Sequence, residues 1–275
     1  MESLKGLDSW QVVFVNDGSQ DGSLETILTL RAQDPRFKVI TLSRNFGYHS
    51  VLVAGLTLVD SDLYSIIDVD CEDPPELLAA FFQTIQGGAD VAYGIRSQRK
   101  EPRLITWFRW LFYYINNHIA DSPTVLWMAE FTMMTLQVRN AIIAPRTTYP
   151  FLRAEIAYAG FKRVGVPYVR SERIHGKSHY NLYGMTKFAI VAFLSSSTFP
   201  LRMITYTAIL VGALLPLSVW WLELSAEQGV QLAVFLLFYF ILFAVPSIAL
   251  YLARTYKNGV ARPVYLVDQN QTHLT

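Results

Sequence analysis

Residues 63–76 read LYSIIDVDCEDPPE, and this stretch is the strongest indicator of the fold. Residues 63–67 are mostly apolar and β-branched or aromatic, which is typical of a buried strand. Five carboxylates follow within nine residues, and they repel one another unless a cation neutralises them. Carboxylate oxygens suit Mg²⁺ or Mn²⁺, which in turn bind diphosphates. An alternative interpretation is that residues 73–76 only cap the next helix.

Strand and helix patterns alternate on both sides of this stretch. They predict strands at 10–15, 38–42 and 89–93, and helices at 23–32, 49–58 and 75–86. Such alternation is typical of an α/β fold with a Rossmann-like, mainly parallel, doubly wound sheet. Ligands of these sheets bind beyond the carboxyl ends of the strands. The candidate binding loops are therefore residues 16–22, 44–47, 68–76 and 94–99.

The loop at residues 16–22, NDGSQDG, is a second polar turn at a predicted strand end. In the functional interpretation, Asp17 accepts hydrogen bonds from a nucleotide base and Ser19 caps the following helix. The alternative is an ordinary turn with side-chain-to-backbone hydrogen bonds.

The C-terminal third is unusually poor in charge. The chain is 52% hydrophobic and 16% charged, and only Glu223 and Glu227 are charged between residues 203 and 253. Segments 204–221 and 230–253 are each long enough to span a bilayer as a helix. The sequence therefore excludes a wholly soluble protein and predicts a membrane anchor.

The distribution of positive charge predicts how this anchor is oriented. The loop at 223–229 has no lysine or arginine, whereas basic residues flank both spans. The positive-inside rule then places the N-terminal domain and the C-terminus on the cytoplasmic side of the inner membrane, in a multi-pass protein.

An amphipathic helix is predicted immediately before the first span. Apolar residues recur at helical spacing there: Met185, Phe188, Ala189, Ala192 and Phe193. We interpret this pattern as a helix in the membrane interface, with a plain core helix as the alternative. The predicted domains are an α/β domain at 1–182, the interfacial helix at 183–202, two transmembrane helices at 203–253 and a cytoplasmic tail at 254–275.

Composition excludes two further classes. A net charge of +1 gives no electrostatic basis for binding nucleic acid. The single cysteine, Cys71, excludes an intramolecular disulfide and a zinc cluster built on cysteines.

Several motifs lie in order along the chain: FVNDGS (14–19), LSRNFG (42–47), AGL (54–56), DVDCEDPPE (68–76), YGIRSQR (93–99), FLR (151–153), GVPY (165–168), RSERIHGKSHY (170–180) and RPVY (262–265). Their order and spacing resemble the family-2 glycosyltransferases of GT-A fold, and within them the branch that uses polyprenyl phosphates. The resemblance implies a GT-A catalytic domain followed by the interfacial and transmembrane helices.

The resemblance also implies a donor site built from acids. Asp17 matches the residue that contacts the uracil or guanine of a nucleotide-sugar. Asp68 and Asp70 match the acids at the donor diphosphate, with Asp70 as the direct metal ligand. Glu72 stands at the position of a third ligand, so the implied metal site for Mg²⁺ or Mn²⁺ is Asp68, Asp70 and Glu72.

Arginines are implied for the phosphate of the lipid acceptor. Arg96 and Arg99 match an arginine-containing loop near the phosphates. Arg173, Ser178 and Tyr180 match a motif for the lipid phosphate.

Glu130 occupies the position of an acid to which the role of catalytic base is attributed. A lipid phosphate is already ionised near neutral pH, so Glu130 has two alternative roles. It orients the acceptor or the arginines, or it pairs structurally with an arginine. The implied catalytic set is Asp70, Glu130, Arg96 and Arg173.

The predicted function is inverting transfer of one sugar from a nucleotide-sugar to undecaprenyl or dolichyl phosphate at the cytoplasmic membrane face. UDP-glucose is the default donor, while GDP-mannose, UDP-N-acetylhexosamine and a UDP-aminoarabinose derivative stay open. A homo-oligomer is a further possibility. A processive polysaccharide synthase is disfavoured because Thr106 replaces the glutamine of the Q-x-x-R-W signature and two spans are too few for an export channel.

The N-terminus departs from the family, since the chain begins after the family's first strand. We expect the sheet to lack an inner strand and to have unpaired backbone on both sides of the gap. The alternative function is therefore a truncated, non-catalytic membrane subunit or remnant that associates with a full-length paralogue.

Overall fold

The computed structural model describes residues 6–70, 72–96, 128–145, 147–148, 150–169 and 197–274. These residues form two compact units. The first contains the described parts of 6–169 together with 261–274, and the second contains 197–260.

Strands and helices alternate from Val12 to Arg96 in the first unit, as the sequence predicts. The described elements are β1 (Val12–Asn16), α1 (Ser23–Gln33), β2 (Phe37–Thr41), α2 (Tyr48–Leu58), β3 (Leu63–Ile66), α3 (Leu77–Gln86), β4 (Val91–Arg96), β5 (Met128–Thr135), α4 (Leu136–Ile143), α5 (Leu152–Ala159) and β6 (Arg163–Tyr168). The α/β class is confirmed. Every element predicted in this unit lies within three residues of its observed position.

The strands form two sheets. β1 and β2 pair in parallel, and the larger sheet has the order β3–β5–β4–β6. β5 runs antiparallel to both of its neighbours, so the larger sheet is mixed, while β3, β4 and β6 run in one direction. The antiparallel direction places the beginning of β5 at the edge where β3 and β4 end.

Helix α2 contacts both sheets. Its Leu56 packs with Tyr64 and Ile66 of the larger sheet, whereas its Ala54 packs with the buried residues of β2. Among the described strands, none pairs with the second edge of β1 or of β3. Helix α2 therefore joins the two sheets.

The guanidinium group of Arg139 closes the C-terminal end of α2. Its Nε donates to the carbonyl of Leu56 at 2.5 Å, and its Nη2 donates to those of Thr57 and Val59 at 3.1 and 3.0 Å. The last carbonyls of a helix have no partners within the helix, so this side chain satisfies groups that are otherwise orphaned.

Arg139→Met is expected to lower the free energy of unfolding by about 1–3 kcal/mol, because partly buried carbonyls lose their donor. Thermal denaturation of the detergent-purified chain measures the effect. Lys162→Met, which removes a charge from an exposed position, is the matched control. Equal stability of the two variants would contradict the capping role of Arg139.

Residues 261–274 cover the outer edge of β2. Val267 and His273 form antiparallel bridges to Leu42 and Val39. The Thr41 hydroxyl donates to the carbonyl of Gln271 at 2.9 Å, across 230 positions of sequence. The tail therefore protects an edge strand that would otherwise be open to pairing with another chain.

The second unit is a pair of long apolar helices, α6 (Phe199–Trp221) and α7 (Ala226–Val260), of 23 and 35 residues. Both are long and apolar enough to cross a membrane. Pro216 and Pro246 lie inside them, as membrane helices tolerate. The predicted spans fall within these helices, although α6 begins earlier and α7 ends later than predicted. Residues 183–196 of the predicted interfacial helix lie outside the described residues.

Candidate active site

The ends of β1, β3 and β4 and the beginning of β5 supply the predicted polar residues. In the register of β3 with β5, Ile66 lies opposite Thr132. Continuing that register brings the residues after β3 close to Glu130. The negative charge of Glu130 contributes to the raised pKa of Asp68. Parallel pairing of β4 with β6 aligns Arg96 with Tyr168.

At the end of β1, Asp17 binds the loop that precedes α2. Its Oδ1 accepts the N–H of Phe46 at 2.7 Å and its Oδ2 accepts that of Gly47 at 2.9 Å. Gly18 has a φ of 67°, and a Cβ there would lie 2.7 Å from the carbonyl carbon of Arg44. Glycine is therefore required for the two loops to touch.

Ser19 departs from its predicted role, whereas Asn16 makes the side-chain-to-backbone hydrogen bond of the alternative turn interpretation. Ser19 does not cap α1, because Gly22 holds the N-cap position without a side-chain hydrogen bond. Asn16, 5% exposed, accepts the N–H of Ser19 with Oδ1, and its Nδ2 has no partner among the described residues.

At the end of β3, Asp68 accepts a hydrogen bond from the Tyr48 hydroxyl at 2.8 Å. Burial raises the pKa of Asp68, and the nearby carboxylates of Asp70 and Asp73 add to the rise, while the hydrogen bond from Tyr48 opposes it. Asp70 accepts the N–H of Glu72 at 3.2 Å. The acids of this loop therefore share a region of concentrated negative charge.

Asp73 does not cap α3; it binds two residues of neighbouring strands. Its carboxylate accepts a short hydrogen bond from the Tyr168 hydroxyl and lies 3.4 Å from Nη2 of Arg96. Arg96 also donates through Nε to the Tyr168 oxygen at 3.1 Å. Asp73 is 1% exposed, and burial raises the pKa of Tyr168 to about 12. Asp73 and Tyr168 thus hold the Arg96 guanidinium in one orientation.

Gly94 makes room for this cluster, since a Cβ at Gly94 would lie 2.6 Å from the Tyr168 ring. Gly94→Ala is expected to displace Tyr168 and lower the free energy of unfolding by about 1–3 kcal/mol. Thermal denaturation tests the stability, and near-ultraviolet circular dichroism reports the displaced tyrosine. Gly259→Ala, at a position where a Cβ would meet nothing within 4 Å, is a control for the loss of a glycine. Unchanged spectra for Gly94→Ala would contradict the tight packing.

Glu130 lies near the beginning of β5 and pairs with Arg153, with Nε and Oε1 separated by 2.6 Å. Burial raises the pKa of Glu130, and the positive charge of Arg153 opposes the rise. Burial and the same arginine lower the pKa of His49 to about 4. The structure therefore places Glu130 in the ion pair that the sequence allows as one of its interpretations.

The predicted metal ligands are not gathered into a finished site. Among the residues that the structure describes, no group of three or more histidine, cysteine or acidic side chains is arranged to hold a metal ion. The donor chemistry nevertheless fits a hard cation, because Asp68 and Asp70 present carboxylates in a region that already carries excess negative charge.

Comparison with known sequences agrees with this architecture. The family model described as Glycosyl transferase family 2 matches residues 1–146. The chain belongs to glycosyl transferase family 2. It is accordingly a glycosyltransferase, and its family match ends just beyond α4.

Relatives of this glycosyltransferase match nearly its whole length. A prophage bactoprenol glucosyl transferase homolog of Escherichia coli is 31% identical over 98% of this chain and 90% of the relative. The bactoprenol glucosyl transferase of Shigella phage SfX is 29% identical over 95% and 89%. An undecaprenyl-phosphate 4-deoxy-4-formamido-L-arabinose transferase of Edwardsiella ictaluri is 28% identical over 94% and 83%. The similarity thus includes the two apolar helices.

The structure brings five of the predicted site residues to one edge of the glycosyltransferase domain: Asp68, Asp70, Glu72, Arg96 and Glu130. Asp17 lies at the end of β1, on the smaller sheet. Four others lie outside the described residues: Arg99, Arg173, Ser178 and Tyr180.

The sequence predicts no role in the site for four residues that the structure adds to it: Tyr48, Asp73, Arg153 and Tyr168. Arg153 and Tyr168 lie in the motifs that resemble the family, so those motifs could have identified both residues as members of the site. Tyr48 follows the LSRNFG motif directly. Asp73 was interpreted as a possible helix cap.

Proposed function

We propose that this glycosyltransferase transfers one sugar from a nucleotide-sugar to a polyprenyl phosphate, with inversion, at the cytoplasmic face of the membrane. UDP-glucose is the default donor and undecaprenyl phosphate the default acceptor. One observation supports the proposal most strongly. The acids after β3 and Arg96 lie at the same edge of the sheet, in a chain that also has two apolar helices of membrane-spanning length.

The donor diphosphate is assigned to the acids after β3. Asp68, Asp70 and Glu72 would hold Mg²⁺ or Mn²⁺, with Asp70 as the direct ligand. Such a cation, when bound, neutralises the negative charge that develops on the leaving diphosphate. Asp17 and the loop that it binds would line the nucleotide end of the site.

The acceptor phosphate is assigned to arginines. Arg96 has two of its nitrogens fixed by Tyr168 and Asp73, while its Nη1 has no partner among the described residues. A guanidinium that is held in place and keeps an unused N–H donor is well suited to bind a phosphate oxygen. Arg99 and Arg173, with Ser178 and Tyr180, would complete this side.

Glu130 is assigned an orienting role. Its ion pair with Arg153 fixes both side chains near the acids, and the acceptor phosphate needs little deprotonation near neutral pH. The phosphate oxygen would attack the anomeric carbon from the side opposite the diphosphate, which inverts its configuration. The names of the bactoprenol and undecaprenyl-phosphate relatives support this choice of acceptor.

The test is sugar transfer by the purified full-length chain in detergent, with undecaprenyl phosphate, Mn²⁺ and radiolabelled UDP-glucose, GDP-mannose or UDP-N-acetylglucosamine. We expect the label to move into the organic phase with one donor only, and chelation to abolish the transfer. The anomeric configuration of the product, measured by NMR, tests inversion.

No transfer with any donor by a folded sample would contradict the proposal. Transfer to a growing polysaccharide would also contradict it, since the proposed product carries a single sugar.

A further inference from the structure

The loop before α2 links the end of β1 to the end of β3. Both carboxylate oxygens of Asp17 accept backbone N–H groups, from Phe46 and from the N-cap residue Gly47. A carboxylate at this position is favoured by the partial positive charge of a helix N-terminus. Asp17 therefore fixes where α2 begins, although it lies on a different sheet from the acids after β3.

Tyr48, the first residue of α2, extends this link to the acids. Its hydroxyl donates to Oδ1 of Asp68 at 2.8 Å. Its ring lies edge-on to that of His49, with centroids 5.5 Å apart, and His49 lies edge-on to Phe151 at 5.3 Å. These ring contacts limit the directions that the Tyr48 hydroxyl can take.

We infer that Tyr48 is a positioning residue for Asp68, and that Asp17 acts on the metal site through it. The inference rests on the proposed function, which makes Asp68 a ligand of the divalent cation. A carboxylate has about four lone-pair positions, so the hydrogen bond from Tyr48 restrains the group while leaving it able to bind a cation.

The hydroxyl of Tyr48 contributes little to the stability of the fold. Tyr48 is 43% exposed, and α2 is held by its buried Ala54 and Leu56 and by Arg139. Removing the hydroxyl should therefore leave the helix in place and release only the Asp68 carboxylate. Loss of a group that orients a ligand typically weakens metal binding 10–100-fold.

The test uses the full-length chain in detergent and Mn²⁺ as the probe, alone and with UDP, measured by electron paramagnetic resonance. Tyr48→Phe is expected to weaken Mn²⁺ binding about 10-fold or more, with an unchanged melting temperature. Tyr158→Phe, which removes a hydroxyl from a residue 79% exposed, is the matched control and should bind Mn²⁺ as the native chain does.

Asp17→Asn gives a second, independent readout. It should also weaken Mn²⁺ binding. If Asp17 acts through Tyr48, the variant that carries both substitutions should bind Mn²⁺ as tightly as the single variant with the lower affinity. Additive losses in the double variant would overturn the link between Asp17 and Tyr48.

The outcomes separate this inference from the proposed function. Native binding of Mn²⁺ by Tyr48→Phe would overturn the positioning role alone. A lowered melting temperature with unchanged Mn²⁺ affinity would assign a structural role and overturn it too. Failure of the folded native chain to bind Mn²⁺, with or without UDP, would overturn both the metal-dependent function and the inference.

Discussion

Asp70→Asn is expected to lower the rate of sugar transfer by about 10²–10³-fold without changing the fold. The side chain is half-buried after β3, and it accepts a hydrogen bond from the N–H of Glu72. Asparagine keeps the size of the group and an oxygen for that bond, but it removes the negative charge. The charge is what the proposed cation requires, so kcat should fall and the melting temperature should stay the same.

The matched control for this variant is Asp62→Asn. Asp62 is an exposed acid immediately before β3, at the opposite end of the same strand. Its replacement removes the same charge from the chain and should leave transfer unchanged. Equal rates for Asp70→Asn and the native chain would remove Asp70 from the site, whereas equal losses in both variants would indicate a general effect of net charge.

Arg153→Met is expected to lower the free energy of unfolding by about 3–5 kcal/mol at pH 8, because it leaves the Glu130 carboxylate buried without its partner. Glu130 is 7% exposed, so water cannot replace the arginine. For a chain of this size, the loss corresponds to a fall of about 10 °C in the melting temperature. Thermal denaturation of the purified chain measures it.

The stability that Arg153→Met loses should be smaller at low pH than at high pH. Burial raises the pKa of Glu130 above its ordinary value of 4.5, and removing Arg153 raises it further. A raised carboxyl pKa stabilises the fold fully below the unfolded-state pKa, and this stabilisation disappears as the pH rises through the folded-state pKa. The difference in melting temperature between the variant and the native chain should therefore be smaller at pH 5 than at pH 8.

The double variant Glu130→Gln with Arg153→Met isolates the ion pair. It removes both charges together, and it should recover much of the stability that Arg153→Met loses. A loss that is the same at pH 5 and pH 8, with no recovery in the double variant, would mean that Arg153 stabilises the domain through packing alone.

The acids after β3 show how far local pattern can predict this site. An apolar strand running into DVDCEDPPE is a continuous signal, so the strand end, the loop and the charge were all predictable. The cluster of Asp73, Arg96 and Tyr168 was not, because its members come from three separate segments. The pairing of β4 with β6 brings Arg96 and Tyr168 together, the loop after β3 adds Asp73, and no periodicity in the sequence encodes that arrangement.

Strand β5 illustrates the limit of propensity. Five of the eight residues in its sequence, MAEFTMMT, are methionine, alanine or glutamate, which favour helix in isolation. It forms a strand because it is the central strand between β3 and β4 and is buried along nearly its whole length. Tertiary context therefore outweighs local preference here, and the direction of β5 makes the sheet mixed.

The pairing of residues 261–274 with β2 has a consequence for biosynthesis. A ribosome makes β2 early and makes its edge partner only after both apolar helices have been translated. The outer edge of β2 therefore stays uncovered while α6 and α7 are being synthesised. Completion of the α/β fold follows synthesis of both apolar helices, so a chain that stalls within α7 would leave β2 exposed to aggregation.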